Sequence, residues 1–240
     1  MNYAPYNVFR HYIGAVLCKN LYKTPFKTVC VKHDHRLYIA IKGTSTVRDW
    51  KCNFQLKKNS DDIHAGFVEY ANECYKELDT FDIVQDIYDH EHIVLSAHSL
   101  GACAAIIILY NLMEQNEFNL EEKYIELVLF GSPKPGGNDF VHKFNQRSSH
   151  FNIDVFRYNN KYDAVSTYPP FDGFNHVSEE IILDQENSKK TNLYNDHCLD
   201  SYIHNLLTRR PLSVNEKLKL TKYNRILKQI QIQINNDYNP

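Results

Sequence analysis

The sequence predicts an α/β fold: a three-layer sandwich in which a mainly parallel central sheet carries helices on both faces. Three observations lead there. From residue 93 onward, short β-branched or aromatic runs alternate with longer runs of helical spacing. The 240 residues suffice to bury a large core. No internal repeat and no linker divides them, so a single domain over residues 1–240 is expected, with 213–240 as a peripheral basic extension.

The elements follow in order. Tyr6 to Tyr22 has helical spacing and is stopped before Pro25. Phe26 to Lys32 and Arg36 to Ile41, joined by His33-Asp34-His35, read as a hairpin. Gly43 to Thr46 ends the second strand, and residues 46–63 read as a loop or short surface helix. Ala65 to Tyr88 places Phe67, Tyr70, Ala71, Cys74, Tyr75 and Leu78 on one helical face. Ile93 to Leu95 is a β-branched run, and Ala102 to Leu112 a helix apolar nearly all round, hence buried. Tyr124–Phe130, Ile153–Tyr158 and Val177–Leu183 read as strands; Asn138–Gln146 and Asp196–Leu207 read as helices.

Composition excludes several classes. Hydrophobic residues are 43% and charged residues 23%, which is ordinary globular usage and not that of a disordered or fibrous chain. Net charge is −2, without the basic excess of a nucleic-acid binder. The longest apolar block, Ala102 to Tyr110, is too short to span a bilayer. Met1 to Arg10 lacks the basic start and apolar run of a leader, so an intracellular protein, cytoplasmic or peripheral to a membrane, is expected. The six cysteines match no metal or redox spacing and read as reduced thiols.

The informative stretch is Ile93-Val-Leu-Ser-Ala-His-Ser99-Leu-Gly101. A strand runs into a tight turn and a helix leaves it. Ala97 and Gly101, two positions either side of Ser99, are small, as a nucleophile elbow requires, because larger side chains there strike the neighbouring strand and helix. The serine hydroxyl is thereby raised above the sheet at a helix N-terminus, which favours developing negative charge.

A serine needs a base. In chain order the acid follows the serine and the histidine follows the acid. Among Asp154, Asp163 and Asp172, Asp163 lies in the loop at the carboxyl end of a strand, on the edge that holds Ser99. His142 and His150 precede it. Of His176, His197 and His204, His197 is preferred, at a loop-to-helix junction that can swing an imidazole inward. An oxyanion hole is expected from the amides of Leu100 and Thr44, with Ser45 as the alternative to Thr44.

These residues together resemble the class 3 (fungal-type) lipase family of the α/β-hydrolase fold. Ile41-Lys-Gly-Thr-Ser-Thr-Val-Arg-Asp-Trp50 is similar to its Arg-Gly-Thr/Ser segment with a downstream Trp. His64-Ala-Gly-Phe67, the elbow at Ser96–Gly101, Phe130-Gly-Ser-Pro-Lys-Pro-Gly136 and Asp163-Ala-Val-Ser-Thr-Tyr-Pro169 follow in the family's order. His176-Val resembles a non-catalytic position, and Asp196-His197 with Tyr202 resembles the region of the catalytic histidine. Departures are Lys42 for Arg, Ala97 for Gly and Ser178 for Gly.

The resemblance implies hydrolysis of carboxylic esters, of acylglycerols or phospholipids, by Ser99, His197 and Asp163 through an acyl-enzyme, with no cofactor and no metal. An acyltransferase on the same residues and a catalytically silent binding protein stay open. The family carries a lid where residues 46–63 stand; a small lid with Trp50 on its apolar side and a plain surface loop both fit. Expected partners are a lipid or small ester and no nucleic acid. The basic 213–240 segment is read as a packed amphipathic element or as a membrane-surface contact.

Overall fold

A computed structural model describes residues 5–44, 57–80, 83–115, 119–183 and 190–208, with 218 and 221. Trp50, Ser45 and all but two positions of 213–240 lie outside the described residues.

The sheet has six strands: β1 (Thr28–His33), β2 (Arg36–Ile41), β3 (His92–His98), β4 (Tyr124–Phe130), β5 (Asn152–Asn159) and β6 (Glu180–Ile182). They lie side by side in chain order. β1 runs antiparallel to β2, and every other pair is parallel. The β1–β2 connection is a two-residue turn. Asp34 and His35 both take positive φ, at 51° and 58°, as a tight hairpin turn matched to strand twist demands.

Parallel neighbours need crossovers, and helices supply them. α1 (Pro5–Leu21) precedes the sheet. α2 (Ala65–Thr80) and α3 (Ile83–Asp89) join β2 to β3, α4 (Leu100–Gln115) joins β3 to β4, and α5 (Asn138–Ser148) joins β4 to β5. α6 (Leu193–His197) and α7 (Leu199–Thr208) follow β6. Strand alternation sorts the layers. Leu37, Ile39, Ile41, Ile93, Leu95 and Ala97 pack with α2, α4 and α5. Tyr38, Ala40, Val94, Val128 and Phe156 pack with α1 and α7 on the other face. α4, between the sheet and α2, buries every residue from Leu100 to Tyr110.

α1 is tied to the sheet by a buried charge. Glu126 on β4, 0% exposed, accepts hydrogen bonds from His11 Nε2 (3.0 Å) and His92 Nε2 (2.7 Å), and pairs with Arg10. Burial alone would raise the Glu126 pKa, but these partners override it and bring it down to about 2. Among the described residues, no helix is long and apolar enough to cross a membrane.

Three expectations change. The helix over Ala65–Tyr88 is two helices, α2 and α3. Phe67, Ala71, Cys74 and Leu78 keep a three-to-four-residue stripe in α2, and Ile83, five places after Leu78, is buried in α3. A straight helix would rotate it off the core. The strand over Val177–Leu183 shrinks to β6, because only Arg157–Asn159 at the end of β5 offers it pairing. Val177 is buried outside that ladder, whereas Leu183, also buried, continues it by one bond, its amide donating to Asn159 O (2.9 Å). Asp196–Leu207 is two helices, broken at Cys198, whose φ of −68° and ψ of 147° are extended.

Candidate active site

Three predicted site residues leave the carboxyl ends of parallel strands: Thr44 follows β2, Ser99 follows β3 and Asp163 follows β5, while Gly131, which was not predicted, follows β4 between them. Loops at that edge converge over the sheet, where open α/β folds place their ligand crevice.

Ser99 sits between β3 and α4 with φ 59°. A non-glycine residue there carries backbone strain. The surroundings hold it in place. Its amide donates to Phe130 O on β4 (3.0 Å), and its carbonyl accepts from Ala102 N, opening α4 (2.9 Å). A Cβ added at Gly101 would lie 2.5 Å from Lys42 O and 2.7 Å from Ile41 O, which is the steric reason for a small residue two places after the serine. The alanine at 97 is fully buried and fits.

The structure brings Ser99, His197 and Asp163 together. His197 Nδ1 donates to Asp163 Oδ2 (2.7 Å). Its Nε2 is thereby the acceptor and faces Ser99 Oγ at 2.9 Å. Asp163 Oδ2 also accepts from Tyr202 Oη (2.6 Å), and Oδ1 from Val165 N (2.9 Å). Three donors on one side chain suit an acceptor-only carboxylate. All three residues are buried: Ser99 is 6% exposed, Asp163 3% and His197 5%.

The break that splits the last predicted helix helps to place the imidazole. α6 is only Leu193–His197, capped by Asn192, whose side chain accepts from Asn195 N (2.8 Å). Asn160 Nδ2 donates to Asp196 O (3.0 Å), and Thr191 Oγ1 to Asp196 Oδ1 (2.7 Å). The first bond ties α6 to the loop after β5; the second braces α6 against the segment that leads into it.

Thr44 and Leu100 come close through their neighbours. A Cβ added at Gly43 would lie 2.8 Å from Ser99 Cβ and 3.0 Å from Leu100 N, so the turn leading to Thr44 abuts the elbow. Lys42, where the resemblance expects Arg, sends its Nζ to Leu21 O (3.0 Å) and Thr24 O (2.6 Å), closing the C-terminus of α1.

The competing candidates lie elsewhere. His176 Nε2 donates to Ser166 O (2.9 Å). His142, His150 and His204 are exposed, as is Asp172. Asp154 sits near the amino end of β5 and accepts from Tyr124 Oη (2.7 Å).

Sequence reasoning missed four neighbours. Tyr202 was noted only for its place after His197, not for its bond to Asp163. His98, stacked on His197 with ring centroids 4.6 Å apart, donates from Nε2 to His197 O (2.9 Å). Burial, and then the adjacent His197, push its pKa well below the histidine range, so it stays neutral. Tyr22 on the α1 side contacts His98. Gly131 is the fourth, with φ +57°; a Cβ there would lie 2.7 Å from Asp163 Oδ2 and 3.0 Å from His197 Cε1. A glycine directly after a strand was its one readable signal. Gly131→Ala will therefore lower kcat by at least about 10²-fold with KM little altered, because displacing an aligned group by about 1 Å costs that much. Steady-state kinetics on any turned-over ester checks this; a kcat within threefold of the parent would contradict it.

A family model described as Lipase (class 3) matches residues 38–173. The curated lipase of Rhizomucor miehei is 26% identical over 163 residues, covering 65% of this chain and 43% of that protein. Phospholipase A1-II 6 of Oryza sativa subsp. japonica is 27% identical over 124 residues, 47% of this chain and 30% of that one. The aligned part of the chain thus spans less than half the length of the curated relatives it matches. Among solved structures, the native Rhizomucor miehei lipase propeptide complex aligns with TM-score 0.61 at 19% identity, over 85% of this chain and 78% of that one. The lipase of Rhizopus microsporus var. chinensis aligns with TM-score 0.61 at 20% identity, over 86% and 88%. At these identities the likeness shows the fold, that of the α/β-hydrolases.

Proposed function

The chain belongs to the class 3 lipase family, and from that premise we propose that it hydrolyses lipid carboxylic esters, acylglycerols or phospholipids, by an acyl-enzyme route on Ser99, His197 and Asp163. The single observation that carries the reading is the unbroken hydrogen-bonded run Ser99 Oγ, His197 Nε2, His197 Nδ1, Asp163 Oδ2, at 2.9 and 2.7 Å.

In this mechanism His197 Nε2 takes the Ser99 proton as Oγ bonds to the ester carbonyl carbon. The carbonyl oxygen becomes an oxyanion and meets the amides of Thr44 and Leu100. His197 then gives the proton to the departing alcohol, leaving the acyl group on Ser99. Water, deprotonated by the same imidazole, releases the acid and restores the serine. Asp163 holds the tautomer and balances the imidazolium, and Tyr202 and the Val165 amide hold Asp163. His98, stacked beside His197, stays neutral.

The test is an activity screen across triacylglycerol, phospholipid and short nitrophenyl esters, with fluorophosphonate labelling of Ser99. At least one ester class will turn over, and Ser99 will carry the label. Absence of label, or no turnover of any ester class, would sink the reading. Product analysis with added alcohol separates hydrolysis from acyl transfer.

A further inference from the structure

The amide expected from Thr44 lies on a strand exit that has little intrinsic stiffness, because Gly43 precedes it. A peptide plane next to glycine rotates easily. Were it to flip, it would present a carbonyl oxygen where a donor is needed. Two tyrosines from opposite helical layers hold this backbone. Tyr70 Oη, on α2, donates to Lys42 O (2.9 Å). Tyr22 Oη, just past α1, accepts from Gly43 N (2.9 Å). Lys42 O and Gly43 N–H belong to one peptide group, so that plane is pinned at both ends. Tyr70 Oη also stands 3.4 Å from Gly43 O, the carbonyl of the next peptide, whose N–H is that of Thr44. In a trans peptide the N–H points opposite to the carbonyl. With Gly43 O turned toward Tyr70, the Thr44 N–H is turned away from α2.

Tyr22 reaches further. Its oxygen receives the Gly43 proton, so its own hydroxyl proton is free for His98 Nδ1 at 2.7 Å. That fixes His98 with its proton on Nε2, which donates to His197 O (2.9 Å). One phenol thus registers the strand exit, the residue before Ser99 and the backbone of the base against each other.

We propose that Tyr22 and Tyr70 are positioning residues which hold the Lys42–Gly43 peptide and so aim the Thr44 amide at the developing oxyanion. This rests on the Ser99 mechanism proposed above. A merely structural role would lower stability and leave the reaction's dependence on the carbonyl oxygen unchanged. The test uses Tyr22→Phe, Tyr70→Phe and the double variant, on a matched nitrophenyl ester and its thionoester. Sulfur accepts hydrogen bonds poorly, so the ratio of ester to thionoester turnover reads the oxyanion contact, whatever fraction of the enzyme is folded. Each single variant will lose about tenfold in ester kcat, and the double about 10²-fold, inside the range for losing one oxyanion donor. KM will move less than about twofold for a contact made in the transition state, and the ester/thionoester ratio will fall with kcat. Ester kcat within twofold of the parent in the double variant, or equal loss on both substrates, overturns the proposal. Ester turnover unchanged in Ser99→Ala would instead remove the mechanism beneath it, and this proposal with it.

Discussion

Ser99→Ala will lower kcat by about six orders of magnitude, and Ser99→Gly will do the same while leaving a more stable protein than the alanine variant. In the proposed mechanism the rate loss follows from removing the atom that bonds to the acyl carbon; the remaining donors can still bind the ester, and they leave only a residual acceleration over water of about 10³–10⁴. The stability difference follows from the backbone. Ser99 holds φ at 59°, a region that costs an L-residue about 1–2 kcal/mol and costs glycine little. Alanine keeps that strain and also leaves His197 Nε2 without its 2.9 Å partner. Glycine loses the same partner but relaxes the turn, less about 0.5–1 kcal/mol of its own chain entropy. The net gain, up to about 1.5 kcal/mol, corresponds to at most about 6 °C in melting midpoint at about 2–4 °C per kcal/mol for a chain of this size. Calorimetry on the two variants, with ester kinetics and fluorophosphonate labelling, measures both effects. Retained turnover in the alanine variant would refute the role of Ser99. A glycine variant less stable than the alanine one would show that the elbow carries less strain than its φ of 59° implies.

How much of this was readable depends on how local the cause is. The elbow was legible because its requirement, small residues two places either side of a serine between strand and helix, is written within five consecutive positions. The turn at Gly43, which abuts the elbow, was legible from a glycine after a strand, and the place of Asp163 from a loop at a strand's carboxyl end, which points to one edge. Chain order removed only His142 and His150; the choice of His197 over His176 leaned on its place at a loop-to-helix junction and on the family resemblance. Tyr22, Tyr70, His98 and Gly131 were not legible, since each acts through a contact across the sequence. Tyr22 meets His98 across 76 positions, and Gly131 matters only because Asp163 and His197 pack where its Cβ would be. Glu126 shows the same limit: within an otherwise apolar strand run, nothing local says that His11 and His92 will converge on it. Among the helices, apolar spacing gave existence and face but missed the break between Thr80 and Ile83 and the one at Cys198, where packing angle, not hydrophobicity, decides.

Asp163→Asn will cost about 10⁴-fold in kcat with the fold retained, the size seen when a triad carboxylate becomes an amide. The hydrogen-bond pattern gives the reason. Asp163 accepts on both oxygens: Oδ2 from His197 Nδ1 and Tyr202 Oη, Oδ1 from Val165 N. An asparagine can accept on one side only. If its oxygen faces His197, its NH₂ meets the Val165 N–H, two donors about 2.9 Å apart, and the backbone amide has no alternative form. If its oxygen faces Val165, its NH₂ meets His197 and Tyr202, and both can adapt. The phenol rotates to accept, and the imidazole moves its proton to Nε2. The second arrangement is therefore favoured, and in it an N–H, not a lone pair, faces Ser99 Oγ. The base is lost while every heavy atom stays in place. Fluorophosphonate labelling will slow along with ester turnover, since both need Ser99 deprotonated, and the melting midpoint will stay within a few degrees of the parent. Tyr202→Phe serves as the graded control: it removes one of the three donors without changing the imidazole tautomer, so its loss will be far smaller, about tenfold or less for a single contact. An Asp163→Asn enzyme within tenfold of the parent, or a Tyr202→Phe enzyme as poor as Asp163→Asn, would mean that the carboxylate does not set the tautomer.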